Sequence, residues 1–136
     1  MKWLADRIGT ERMKDAYAYK KLLKRYGKIA IGTDFPVEAI NPLYSFHAAV
    51  ARVDANGSPS GGFQMENALT RQEALRGMTI WAAYACFQEK KRGSIEKGKD
   101  ADFVILDEDI MVADDSRLRH ITNLRTVIAG ETVYKK

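Results

Sequence analysis

The chain has 136 residues, a formal net charge of +4 (22 − 18), a pI of about 9.2 and a single cysteine. That length fits one domain with a modest core, and one cysteine excludes an intrachain disulfide and suits a reducing compartment. No apolar run approaches a membrane span, and the bases are interspersed with acids, so neither a membrane nor a nucleic acid is indicated as partner.

The amino-terminal stretch "MKWLADRIGTERMK" carries Lys2, Asp6 and Arg7 and lacks the apolar core of a signal peptide, so a soluble, cytoplasmic chain is expected. "TERMKDAYAYKKLLKRYG" predicts a helix over 10–26. Thr10 is its N-cap, Met13, Ala16, Tyr19, Leu23 and Tyr26 form its apolar face, and Gly27 is its stop. Lys20, Lys21, Lys24 and Arg25 recur at helical spacing beside that face and read as a solvated surface, with Tyr17, Tyr19 and Tyr26 as core or rim. "KIAIG" (28–32) predicts a short strand covered on both faces, because its apolar residues do not alternate with polar ones. "TDFPVEAINP" (33–42) is a loop holding two prolines, each of which disfavours helix at the residue before it.

"LYSFHAAVARV" predicts a helix over 43–53 with Leu43, Phe46, Val50 and Val53 on one face, and the Gly/Ser/Pro-rich "DANGSPSGGF" predicts a loop. The strongest helix signal is 70–92. Thr70 and Glu73 make a capping box, Lys90, Lys91 and Arg92 complement the last turn, and Gly93 ends it. Its middle is apolar nearly all round (Ala74, Leu75, Met78, Ile80, Trp81, Ala82, Ala85, Cys86), which predicts deep burial, Cys86 included as an inert thiol. Gly77 marks either a close packing contact or a break. The remainder changes character, with a turn at 97–99, a strand near 103–106 and a hairpin over 124–135 around Gly130. Helix therefore dominates to about residue 92 and strand follows.

Three stretches, "IAIGTDFPVEAINPL" (29–43), "LTRQEALRGMTIWAAYACFQEKKRGSIEKGKDADFVILD" (69–107) and "LRTVIAGETVY" (124–134), resemble the C-terminal part of a metal-dependent hydrolase of the amidohydrolase superfamily, in the family 3-like subgroup that acts on amide-type carbon–nitrogen bonds. The resemblance implies a distorted TIM-like (β/α)8 barrel carrying a small β-sandwich. Residues 1–92 would be the C-terminal segment of that barrel, with 28–32 as its last strand. Residues 93–136 would be the C-terminal half of the sandwich, so the fold class is an α/β fragment, or α+β as an isolated chain. Barrel active sites lie at the C-terminal ends of the strands, which is where Asp34 falls. The resemblance makes Asp34 the catalytic carboxylate that faces a divalent metal, zinc, and moves a proton during attack by water. A carboxylate beside a metal can orient water, take its proton and deliver it to a leaving nitrogen. Glu38 and Asn41, on the same loop, are candidates for lining a small-molecule substrate pocket.

The family's His-x-His pair is not found in this sequence, whose only histidines are His47 and His120. A catalytic zinc needs about three protein ligands and a barrel about 250 residues. The isolated chain is therefore expected to hold no metal and to be inactive without its missing N-terminal barrel portion, and its uncovered surfaces should drive homo-oligomerisation. The alternative is a non-catalytic, self-associating structural or interaction remnant. His47, beside the Leu43/Val50 face, reads as a packed or semi-exposed histidine, and His120 as solvated. The acidic residues Asp107, Glu108, Asp109, Asp114 and Asp115 read as a self-repelling loop.

Overall fold

The computed structural model describes residues 4–136, so the charge assigned to Lys2 lies outside the described residues. The chain is α+β. Helices α1 (Leu4–Met13), α2 (Tyr19–Tyr26), α3 (Pro42–Ala51), α4 (Arg71–Met78) and α5 (Ile80–Ala85), with a short 3-10 turn at Met65–Asn67, precede strands β1 (Phe103–Leu106), β2 (Asn123–Ile128) and β3 (Glu131–Lys135). The strands form an antiparallel sheet in the order β1-β2-β3, with Val104, Thr126 and Tyr134 opposite one another.

The helix expected over 10–26 is two helices. Gly9, at φ +78°, kinks α1 just before Thr10, and Tyr17, at φ +55°, separates α1 from α2. Tertiary partners take up the carbonyls this break frees: Gln64 Nε2 donates to Met13 O at 2.7 Å and Arg52 Nη1 donates to Tyr17 O at 3.1 Å. A helix end is tolerated where its orphan carbonyls find donors, and neither donor lies near in sequence. Gly27 stops α2 as expected, its left-handed backbone placing the amide 2.7 Å from Leu23 O.

Residues 28–32 form no strand, a correction to the sequence reading. A strand needs a ladder, and this segment has isolated contacts instead: Ile31 N donates to Gly77 O at 3.0 Å and Gly32 O accepts from Ser45 Oγ at 3.4 Å. Gly77 is there for close approach, since a Cβ on it would lie 2.7 Å from Ile31 Cδ1 and 3.1 Å from Ile29 O.

The capping box at Thr70/Glu73 is present, with both reciprocal hydrogen bonds. The helix it starts, expected to reach residue 92, bends at Thr79 and ends at Ala85. The Thr79 hydroxyl donates back to Leu75 O at 2.7 Å, a bond that bends helices. Phe87, at φ +57°, then turns the chain away. Gly93 consequently serves as a packing residue rather than a helix stop, with a Cβ there meeting Ala83 Cβ at 2.7 Å. Deep burial all round this helix is also corrected. Ala74, Gly77 and Ala83 are buried, whereas Tyr84, Ala85 and Cys86 face solvent.

The core joins α2, α3 and α4 to the irregular segment 107–121: Leu23, Leu43, Phe46, Ala49, Leu69 and Ala74 meet Ala113, Leu118 and Ile121, with Trp81 at the margin. The acidic residues of that segment are partnered rather than mutually repelling. Asp107 accepts from Thr122 N (2.8 Å), Asp109 from Met111 N (2.8 Å), and Asp115 pairs with Arg71 at 2.6 Å. Among the described residues no helix is long and apolar enough to cross a membrane.

Candidate functional site

The loop between segment 28–32 and α3 carries all three predicted site residues. Asp34 sits at φ +55°, a left-handed conformation that an aspartate tolerates better than a branched or bulky residue. Its carbonyl closes a tight turn, accepting from Val37 N at 2.8 Å and Glu38 N at 3.4 Å. Thr33 Oγ1 accepts from Phe35 N at 3.3 Å, and Ser45 Oγ on α3 donates to Gly32 O at 3.4 Å, which ties the loop's start to the helix that follows it. The backbone of Asp34 is thus fixed, while its side chain is exposed and, among the described residues, has no hydrogen-bond or ion-pair partner.

Glu38 is brought against Asp34 through its backbone amide, and its own side chain is exposed. Asn41 has a structural occupation: its Oδ1 accepts from Leu43 N at 3.0 Å as the N-cap of α3, followed by Pro42 at the first helical position. The signal for that cap was present in the sequence as Asn-Pro before an apolar periodic run.

Whether these residues fit a metal is a matter of donors. Among the described residues no group of three His, Cys, Asp or Glu side chains is close enough to hold an ion. His47 is buried on α3 among the core residues, with Nδ1 unpartnered, and His120 is exposed. The donor set of this chain alone therefore does not fit a catalytic metal; Asp34 is one carboxylate, short of the ligand count such a metal requires.

The structure also shows groups that sequence reasoning missed. Arg52 is almost fully buried and, among the described residues, makes no salt bridge. It donates through Nε to Phe63 O at 2.8 Å and through Nη1 to Tyr17 O, and it lies over the rings of Tyr19 and Phe63. Burial lowers its pKa. Lys20 on α2 grips both oxygens of Glu73 at 2.5 Å. Burial pushes the Glu73 carboxyl up, but the hydrogen bonds from Lys20 and Thr70 outweigh it and hold the group below its usual range. The Glu73 capping role was legible; its second partner, 53 residues upstream, was not.

A model of the amidohydrolase family matches residues 1–134. The chain is 35% identical over 134 residues to the amidohydrolase YtcJ of Bacillus subtilis, covering 98% of this chain and 25% of that protein. It is 31% identical over 120 residues to an N-substituted formamide deformylase of Arthrobacter pascens, covering 88% of this chain and 22% of the relative. The crystal structure of an amidohydrolase from Thermotoga maritima superposes with a TM-score of 0.61 at 24% identity, covering 88% of this chain and 26% of that one, which is a likeness of fold. The chain thus spans about a quarter of the length of the relatives it matches.

Proposed function

This chain belongs to the amidohydrolase family, and we propose that it is the C-terminal portion of a metal-dependent hydrolase of non-peptide carbon–nitrogen bonds, working only together with an N-terminal barrel portion. The observation that carries the reading is Asp34: an exposed, unpartnered carboxylate on a rigid left-handed turn, in the motif stretch "GTDFPVE". A relative named as an N-substituted formamide deformylase supports the bond class, because removing a formyl group from nitrogen breaks a carbon–nitrogen bond.

A bound divalent metal, zinc in this reading, supplies an acidified water in such enzymes. Asp34 is the one ligand this chain would supply, and the others lie outside it. What the chain's own residues do is limited and specific. Asp34 accepts a proton from the attacking water and returns it to the departing nitrogen, which must leave as the neutral amine. The turn closed by Val37 N and the Ser45–Gly32 hydrogen bond fix the backbone from which the carboxylate projects, which is part of the positioning such a transfer requires. Glu38 faces the small-molecule substrate from the same loop, and Asn41 fixes where that loop enters α3. Residues 28–32 serve as the barrel's last strand once neighbouring strands supply the ladder, and residues 93–136 serve as half of a β-sandwich. The isolated chain binds no metal and is inactive, and in the cell it resides in the cytoplasm.

A second reading, a self-associating interaction remnant, is favoured by the apolar side chains exposed on the sheet, among them Val104, Ile128, Val133 and Tyr134. One experiment separates the two. The chain is co-expressed with the N-terminal barrel portion of a full-length relative, assembly is confirmed by sedimentation, and hydrolysis of an N-substituted formamide is followed with and without a chelator. Chelator-sensitive activity in the assembly and none in either part supports the enzyme reading. A confirmed assembly with no activity, alongside a chain that forms dimers or larger species alone, supports the remnant.

A further inference from the structure

Segment 107–121 packs on the helical core along a seam, and that seam holds a buried imidazole whose Nδ1 has no hydrogen-bond partner. Segment 107–121 flanks β1 and β2 and joins the sheet to the helical core, with Leu106 of β1 packed against that core, and a second, polar link runs from Asp100 and Asp102 to Arg92 beyond α5. On the helical side the seam is formed by Leu43, Phe46 and His47 of α3 and by Arg71 of α4. On the other side are Ala113, Leu118 and Ile121. Polar locks frame this apolar contact. Arg71 donates to Ile110 O at 2.7 Å and to Asp115 at 2.6 Å, and the Arg119 guanidinium stacks over the Tyr44 ring at 3.9 Å.

His47 lies within this frame, 5% exposed, with its Nδ1 shut away from water and from any acceptor. The charged and titratable groups around it are Arg119 and Asp115 from segment 113–121, Arg71 from α4, and Tyr44 one turn back on α3. Arg119 is the cation that acts on the imidazole, and the one carboxylate that opposes it, Asp115, is already paired with Arg71. A second proton on the imidazole would add a further cation to a desolvated seam and bury an N–H with no acceptor, both costly arrangements.

We infer that His47 is a proton-operated latch: neutral, it lets segment 107–121 and the sheet dock on α3 and α4, and protonated, it releases them while α2 and α3 stay folded. The direction of its titration agrees. Burial pushes the imidazole below its ordinary value of about 6.5, Arg119 adds to this, and Asp115 opposes it. A group whose folded pKa is depressed stabilises the docked form above its unfolded value, and that stabilisation is lost as pH falls from about 6.5 through the folded pKa.

The test is amide-exchange protection of the whole chain measured at pH 7.5 and pH 5. Expected is at least a tenfold loss of protection factor in 113–121 and β1–β3 at the lower pH, with α2 and α3 within twofold, and no such loss in His47→Gln. The same loss in His47→Gln, or an equal loss across α2 and α3, overturns the latch. Should His47→Gln not fold, nuclear magnetic resonance titration of His47 in the unaltered chain decides. An imidazole midpoint below about 6.5 that coincides with the loss of protection in the sheet supports the latch; an ordinary midpoint, or one uncoupled from the sheet, rules it out.

Discussion

The helical region and the sheet are built on opposite terms. Phe46, Ala74 and Leu118 are fully buried where α3 and α4 meet segment 107–121, whereas every residue of β3 is exposed and Val127 is the one buried residue on the three strands. The helical region shares its core with segment 107–121, although Leu22, Tyr26 and Tyr84 stay exposed at its edges. The sheet is held together by backbone ladders and keeps its apolar side chains, such as Val133 at 58% exposure, turned to solvent. Antiparallel sheets commonly keep one solvated face that is polar; this one leaves apolar side chains there. The functional loop belongs to neither region. It is rigid in its backbone, through the turn at Asp34, and empty at its side chain.

Substitutions should expose this asymmetry. The largest effect on stability is expected at Phe46→Ala, which opens a cavity at the junction of α3, α4 and segment 107–121 and should cost about 3–5 kcal/mol in denaturant unfolding. Next is Gly77→Ala, whose Cβ would press on Ile31 and on Ile29 O. Overpacking of this kind costs about 1–3 kcal/mol, and exchange at the Ile31 amide should rise with it. Thr70→Ala removes half of the capping box and should cost about 1 kcal/mol, read as a lower midpoint at constant slope. Val133→Thr, on the exposed sheet, should stay within about 0.5 kcal/mol in the isolated chain while lowering any self-association seen by sedimentation. A loss at Val133 as large as that at Phe46 would mean that the sheet is buried in solution and would break the comparison.

What the sequence disclosed follows the same division. Local signals were legible: the Thr70/Glu73 capping box, the Gly27 stop, the hairpin around Gly130 and the loop that carries Asp34, while the sequence left Gly77 open between a packing contact and a break. Breaks imposed from a distance were not. Nothing in "KDAYAYKK" announces that Arg52 and Gln64 will take the carbonyls of Tyr17 and Met13, and the unbroken apolar pattern of 74–86 hides the bend at Thr79. The run "KIAIG" has the composition of a covered strand, but strand formation depends on partners, and a pattern of residues cannot supply a ladder. For the site, the loop position of Asp34 was readable from its motif, whereas Asn41, read as lining a pocket, caps α3. The helix face left His47 packed or semi-exposed; its burial, its orphaned nitrogen and the charges around it depend on a segment some 70 residues further along the chain.

The most direct test of the central claim is steady-state hydrolysis by the assembled enzyme carrying Asp34→Asn, with Glu38→Gln alongside. Asparagine keeps the left-handed turn but cannot carry the proton. The account predicts that kcat falls by about 10²–10⁴-fold in Asp34→Asn with the melting temperature unchanged, while Glu38→Gln acts mainly on KM. A kcat within twofold of the unaltered assembly in Asp34→Asn would contradict it.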